Sequence, residues 1–139
     1  MSDTDRQHLL DTARDTLLAA FPNAWAIYVY GSFARGDESS TSDIDLALLL
    51  PPDEKIDDLL TAISKISTQV HREIDLIDLR KVSDVLRREV LAEGRILYSS
   101  HPDRVLEWEG TAISRYQRYR EEVRDLLSDF QSTGIGYRR

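Results

Sequence analysis

Fifteen residues, Gly31 to Asp45 (GSFARGDESSTSDID), restrict what this chain can fold into more than any other stretch. A Gly-Ser pair is followed by a mostly polar spacer of ten residues, then by two aspartates one residue apart. Before the pair, Ala24 to Tyr30 (AWAIYVY) is apolar. Its aromatic and β-branched half runs straight into Gly31, as a strand does. After the spacer, Asp43 to Leu50 (DIDLALLL) reads as a second strand. Successive side chains of a strand point to opposite faces, so Asp43 and Asp45 share one face. Ile44, Leu46, Leu48 and Leu50 share the other, which is apolar enough to be buried.

Two carboxylates one strand-repeat apart suit a hard divalent cation such as Mg²⁺, which prefers oxygen ligands. Gly31 has no Cβ, so its backbone can approach a ligand closely. A strand that ends in Gly-Ser and leads into a helical turn offers N–H groups and a hydroxyl to a phosphate. Phosphate grip plus metal carboxylates is the equipment of phosphoryl or nucleotidyl transfer. A lone DxD carries little weight in an Asp-rich chain, and a Gly-Ser is an ordinary turn. The joint spacing between two strands is what makes the pattern specific.

The 139 residues predict one domain with a real core. A net charge of −7 argues against general nucleic-acid binding, which relies on Lys and Arg at phosphates. With no cysteine there is neither a disulfide framework nor a thiolate metal site, consistent with a cytoplasmic protein. The charged start, MSDTDRQ, has no apolar signal core. The longest apolar run, Ala24 to Tyr30, is too short to cross a bilayer.

Along the chain, Thr4 to Gln7 forms a capping-box pattern for a first helix striped by Leu9, Leu10, Ala13, Leu17 and Phe21, and ended by Pro22. Arg35 follows the Gly-Ser pair closely, where it suits either a nucleotide phosphate or a salt bridge to a nearby carboxylate. Asp37 and Glu38 are expected to be solvated in a loop across the mouth of the site. Asp53 is placed to cap a helix striped by Ile56, Leu59, Leu60, Ile63, Ile66 and Val70. Glu73 to Leu79 (EIDLIDL) reads as a third strand in which Asp75 and Asp78 face opposite ways, so only one can join Asp43 and Asp45. Periodicity does not choose between them. A third helix carries Val82, Val85, Leu86, Val90 and Leu91 and stops at Gly94; Ile96 to Ser99 reads as a short last strand. A long helix over about 102–131 follows, striped from Val105 through Trp108, Ala112, Tyr116, Tyr119, Val123 and Leu126 to Phe130. Its far half interleaves aromatics with Arg115, Arg118, Arg120 and Arg124, a composition suited equally to an interface and to packing on its own domain. Residues 132–139 are expected to be a mobile tail.

Gly31-Ser32, ten residues, Asp43-Ile44-Asp45 and a later strand carrying Asp75 match the Gly-Ser to DxD signature of the DNA polymerase beta superfamily. The segments YGSFARGDESSTSDIDLALLL and EIDLIDL resemble its minimal nucleotidyltransferase (MNT) family, and within it the MntA antitoxins of HEPN/MNT toxin–antitoxin pairs. The resemblance extends over nearly the whole chain. It implies an α/β nucleotidyltransferase fold with a small mixed sheet packed by helices. It also implies that Gly31 and Ser32 hold the triphosphate of ATP, that Asp43 and Asp45 bind two Mg²⁺ ions, and that Asp75 is the third carboxylate. The implied reaction moves AMP onto a tyrosine of a HEPN-domain ribonuclease toxin and releases pyrophosphate. Neutralisation of the toxin by contact alone, and adenylylation of a small molecule such as an aminoglycoside, are the competing expectations. The short chain, with no recognisable second domain for a small acceptor, argues against the latter.

Overall fold

The structure, a computed structural model, describes residues 1–133, so most of the expected mobile tail lies outside the described residues. Four strands form one sheet: β1 (Ala26–Tyr30), β2 (Ile44–Leu49), β3 (Ile74–Asp78) and β4 (Arg95–Ser99). Their order is β3-β2-β1-β4. β1 is antiparallel to both β2 and β4, and β2 is parallel to β3, so the sheet is mixed as expected. The parallel pair requires a crossover, supplied by α3 (Leu59–Val70). α1 (Asp3–Ala20) precedes the sheet, α2 (Ser32–Arg35) is a single turn after β1, α4 (Asp84–Glu93) follows β3 and α5 (Pro102–Thr133) follows β4.

Alternation along the strands builds two cores. Ile27 and Val29 of β1, with Ile44, Leu46, Leu48 and Leu50 of β2, pack against Leu10, Ala13 and Leu17 of α1 and Ala62 and Ile66 of α3. The opposite face buries Ala26, Tyr28, Tyr30, Ala47 and Leu49 against Leu79, Val90 of α4 and Val105 of α5. The sheet is thus covered on both sides, which explains why β1 and β2 read as near-continuous apolar runs.

Several local expectations change. α1 starts two residues early: the Ser2 hydroxyl, not Thr4, accepts from the Asp5 N–H at 3.1 Å, and Gln7 instead donates to Asp11. α3 is capped by Asp58, which accepts from Leu60 N–H at 2.8 Å, rather than by Asp53. The reason is Arg80, whose guanidinium donates to the carbonyls of Pro51 (2.7 Å) and Glu54 (2.6 Å) and fixes that stretch as a loop. Ile56 still packs on the first core, but Leu60 is exposed and Ala62 takes the buried position. Val85 is likewise exposed, because α4, capped by Ser83, turns Arg87 and Val90 inward.

Gly94 ends α4 as expected, yet in an extended conformation (φ −78°). A Cβ there would meet the carbonyl oxygens of Val90 at 2.4 Å and Val29 at 3.0 Å. α5 runs to Thr133, and its stripe divides: Val105 and Ala112 are buried, whereas Tyr119, Val123, Leu126 and Leu127 are exposed.

Candidate active site

Cross-strand register assembles the site. Tyr30 of β1 pairs with Asp45 of β2, and Asp45 pairs with Asp75 of β3. The three residues therefore form one row across adjacent strands, on one face, at a spacing of about 4.8 Å between strands. The Tyr30 hydroxyl donates to Asp75 Oδ2 at 3.3 Å. Asp78 takes the other face, where it is buried and paired with Arg80 at 2.9 Å. Of the two candidates on β3, Asp75 is the one beside Asp45, and Asp78 belongs with Arg80 to the lock on the Pro51–Glu54 loop.

Asp43 lies exposed just before β2, and Asp45 is half-buried one repeat further. With Tyr30, Gly31, Ser32, Arg35, Ser42 and Glu89 they line an open cleft of about 400 Å³. Gly31 sits at φ +68°, ψ −149°, and a Cβ there would lie 2.1 Å from Asp45 Oδ2. Glycine is needed twice over, for a backbone conformation nearly closed to L side chains and for room for the carboxylate. Gly31 also caps α2, whose first turn starts at Ser32 with N–H groups that have no partner within the helix.

The spacer is tied down from both sides. Arg72 donates to the carbonyls of Ser39 (3.2 Å) and Ser42 (2.9 Å), and its guanidinium lies 5.3 Å from the Phe33 ring centroid. Glu38 is not solvated as expected: its side chain is 2 % exposed and is paired with Arg6 of α1. The Arg6 hydrogen bond holds the Glu38 carboxyl below the usual carboxylate range. Asp37 remains exposed and accepts from Arg35 at 3.2 Å. Arg35 also approaches Glu93 of α4 at 3.8 Å, so at the rim of the cleft it is engaged by carboxylates.

The charges of the row interact. Burial, then the neighbouring Asp75 and Asp43 carboxylates, raises the Asp45 carboxyl above its ordinary value, and Arg35 partly counters this. Burial first, then Asp75 and Asp45, pushes the Tyr30 hydroxyl up, so it stays a protonated donor. Among the described residues no three acidic or histidine side chains converge closely enough to hold a metal unaided. The donor set nevertheless fits Mg²⁺, which is bound through one or two carboxylates together with substrate phosphates. A half-buried carboxylate repelled by two others is one that a shared cation would relieve. Tyr30, Glu89, Arg72 and the Arg6–Glu38 pair were not identified from sequence as parts of the site. Only Tyr30, next to Gly31, had a visible signal, and its role depends on register.

A mixed sheet that brings a Gly-Ser turn, Asp43 and Asp45 to one cleft, with Asp75 on the strand beside Asp45, defines a nucleotidyltransferase. Residues 15–103 match the family described as polymerase beta, nucleotidyltransferase, and the chain belongs to that family. It is similar to the protein adenylyltransferase MntA of Shewanella oneidensis, 28% identical over 131 residues, covering 93% of this chain and 89% of that protein. Among solved structures, a toxin–antitoxin with AMP-PNP superposes with a TM-score of 0.75 at 27% identity, covering 88% of this chain and 98% of that one. A complex of a tri-AMPylated Shewanella oneidensis HEPN toxin with an MNT antitoxin gives 0.66 at 26% identity, covering 94% and 99%. No helix among the described residues is long and apolar enough to cross a membrane.

Proposed function

We propose that this chain is an antitoxin that transfers AMP from ATP to a hydroxyl, a tyrosine's, of a HEPN-domain ribonuclease toxin and so inactivates it. The observation that carries the reading is the row Tyr30–Asp45–Asp75 beside the Gly31–Ser32 turn. Its likeness to an adenylyltransferase and to an antitoxin solved with an AMPylated toxin supports the choice of acceptor.

Gly31 and Ser32 bind the triphosphate through backbone N–H groups and the Ser32 hydroxyl, and Arg35 can turn from Asp37 toward a phosphate at the same rim. Asp43 and Asp45 would hold two Mg²⁺ ions, which when bound neutralise the phosphates and lower the pKa of the attacking hydroxyl. Asp75 accepts the Tyr30 hydrogen bond at Oδ2 alone, which leaves Oδ1 to take the acceptor's proton. The acceptor oxygen attacks the α-phosphorus, the bond to the bridging oxygen breaks, and pyrophosphate leaves. The new phosphodiester adds negative charge and adenosine bulk to the toxin, which suits exclusion of RNA.

Incubation with ATP, Mg²⁺ and the cognate HEPN toxin, followed by intact mass of the toxin, tests this. The expected result is a gain of one or more AMP units, absent with Asp45→Asn. A stable complex without mass gain would replace transfer by neutralisation through contact.

A further inference from the structure

The far half of α5 continues a buried stripe past the edge of its own domain. Val105, Trp108 and Ala112 pack inward. Tyr116, Tyr119, Val123 and Leu126 repeat at the same three-and-four spacing, the seam spacing of paired helices. Tyr119, Val123, Leu126 and Leu127 are 37–58% exposed. From Tyr116 to Leu126 the helix advances about 15 Å at roughly 1.5 Å per residue. A single helix this amphipathic gains little from water, and packing of its apolar face is what ordinarily stabilises it.

The stripe begins in a groove between α4 and α5. Arg88, Leu91 and Ala92 of α4 with Ile113, Tyr116, Gln117 and Arg120 of α5 line a depression of about 270 Å³. The Arg88 guanidinium lies 5.6 Å from the Tyr116 ring centroid and forms one wall. Glu89, the next residue on α4, lines the active-site cleft, and Glu93 one turn later meets Arg35 at the cleft's rim. Groove and cleft are therefore adjacent edges of one helix. Arg120 lines the groove with Arg88, helical periodicity puts Arg124 one turn beyond Arg120 on the same border of α5, and none of the three has an ion-pair partner among the described residues.

We propose that this groove and the exposed stripe of α5 dock an amphipathic helix of the protein that accepts AMP, and so present its hydroxyl to the cleft. The helix that fits has apolar residues at three-and-four spacing and carboxylates along the flank that meets Arg88, Arg120 and Arg124. The proposal rests on the protein-modifying function proposed for the cleft. In this arrangement the acceptor protein is held beside the cleft, not inside it.

The test uses Leu126→Glu and Leu127→Glu, at positions exposed enough to leave the fold intact, together with Arg120→Glu. Complex formation with the cognate HEPN toxin is measured by calorimetry, and AMP transfer by steady-state kinetics. Each variant is expected to weaken the complex and raise KM for the toxin roughly 10-fold or more, with KM for ATP and kcat at saturating toxin unchanged. A charge-reversed carboxylate on the toxin should restore Arg120→Glu. Unchanged affinity in all three variants would overturn the proposal. So would a wild-type chain that is dimeric alone and becomes monomeric with Leu126→Glu, because a second copy would then own the stripe. A wild-type complex that leaves the toxin's mass unchanged, yet is weakened by the variants, would refute AMP transfer while leaving the docking surface in place.

Discussion

Replacing Gly31 by alanine isolates the most constrained contact in the site. The new Cβ would stand 2.1 Å from Asp45 Oδ2, where ordinary van der Waals contacts lie at 3.4–4 Å and real ones essentially never fall under 3.0 Å. The carboxylate must therefore retreat by about 1 Å, enough misplacement to cost on the order of 100-fold in rate. The backbone at φ +68°, ψ −149° adds strain of about 1–3 kcal/mol. For a domain of this size that lowers Tm by roughly 4–12 °C. Gly36 separates the two effects, since it has φ +80° but nothing within 4 Å of where a methyl would stand. Gly36→Ala should lose about 1–2 kcal/mol by the left-handed penalty alone and keep its rate. The assays are AMP transfer to the toxin at a temperature well below both melting points, and thermal unfolding by circular dichroism. Wild-type transfer by Gly31→Ala, or equal rate loss in both variants, would refute the assignment of Asp45's position to Gly31.

The two aspartates of β3 should behave oppositely. Asp75→Asn is expected to cut transfer by roughly 10²–10⁴-fold with little change in Tm, whereas Asp78→Ala strands Arg80 and should cost about 3 kcal/mol in denaturant unfolding while folded molecules keep their turnover. Tyr30→Phe removes the hydrogen bond to Asp75 Oδ2, and should lower kcat while leaving KM for ATP unchanged. Asp45 titrates above its ordinary value in the fold, so its protonated form favours folding. In metal-free buffer that contribution is fully present below the unfolded carboxylate's pKa and is lost as pH rises through the raised folded one. Asp45→Asn should be flat across that window and melt above wild type beyond it, which melting curves at stepped pH would check.

The strand faces were legible because alternation is strict: Ile44, Leu46, Leu48 and Leu50 all entered one core. The Gly-Ser to DxD spacing placed Gly31, Ser32, Asp43 and Asp45 at one cleft for the same local reason. Asp75 against Asp78 was not legible from alternation. Each shares its face with an apolar residue, and the answer lay in pairing with β2, a long-range fact. The same limit hid the Tyr30–Asp75 bond and the burial of Glu38 by Arg6, whose partners are 45 and 32 residues apart. Arg80 reached back to Pro51 and Glu54 and overrode Asp53 as a cap, so a local propensity lost to a tertiary contact. The stripe of α5 was visible throughout, but not the point at which its own domain stops covering it.

Transfer of the nucleotide's α-phosphorus is the most direct test of the central claim. The chain, Mg²⁺ and the cognate toxin would be incubated in parallel with ATP labelled at the α- or the γ-phosphate. The account predicts label on the toxin from α-labelled ATP only, with the γ-label recovered as pyrophosphate, and neither with Asp45→Asn. Label on the toxin from γ-labelled ATP, or α-label transfer that survives Asp45→Asn, would contradict it.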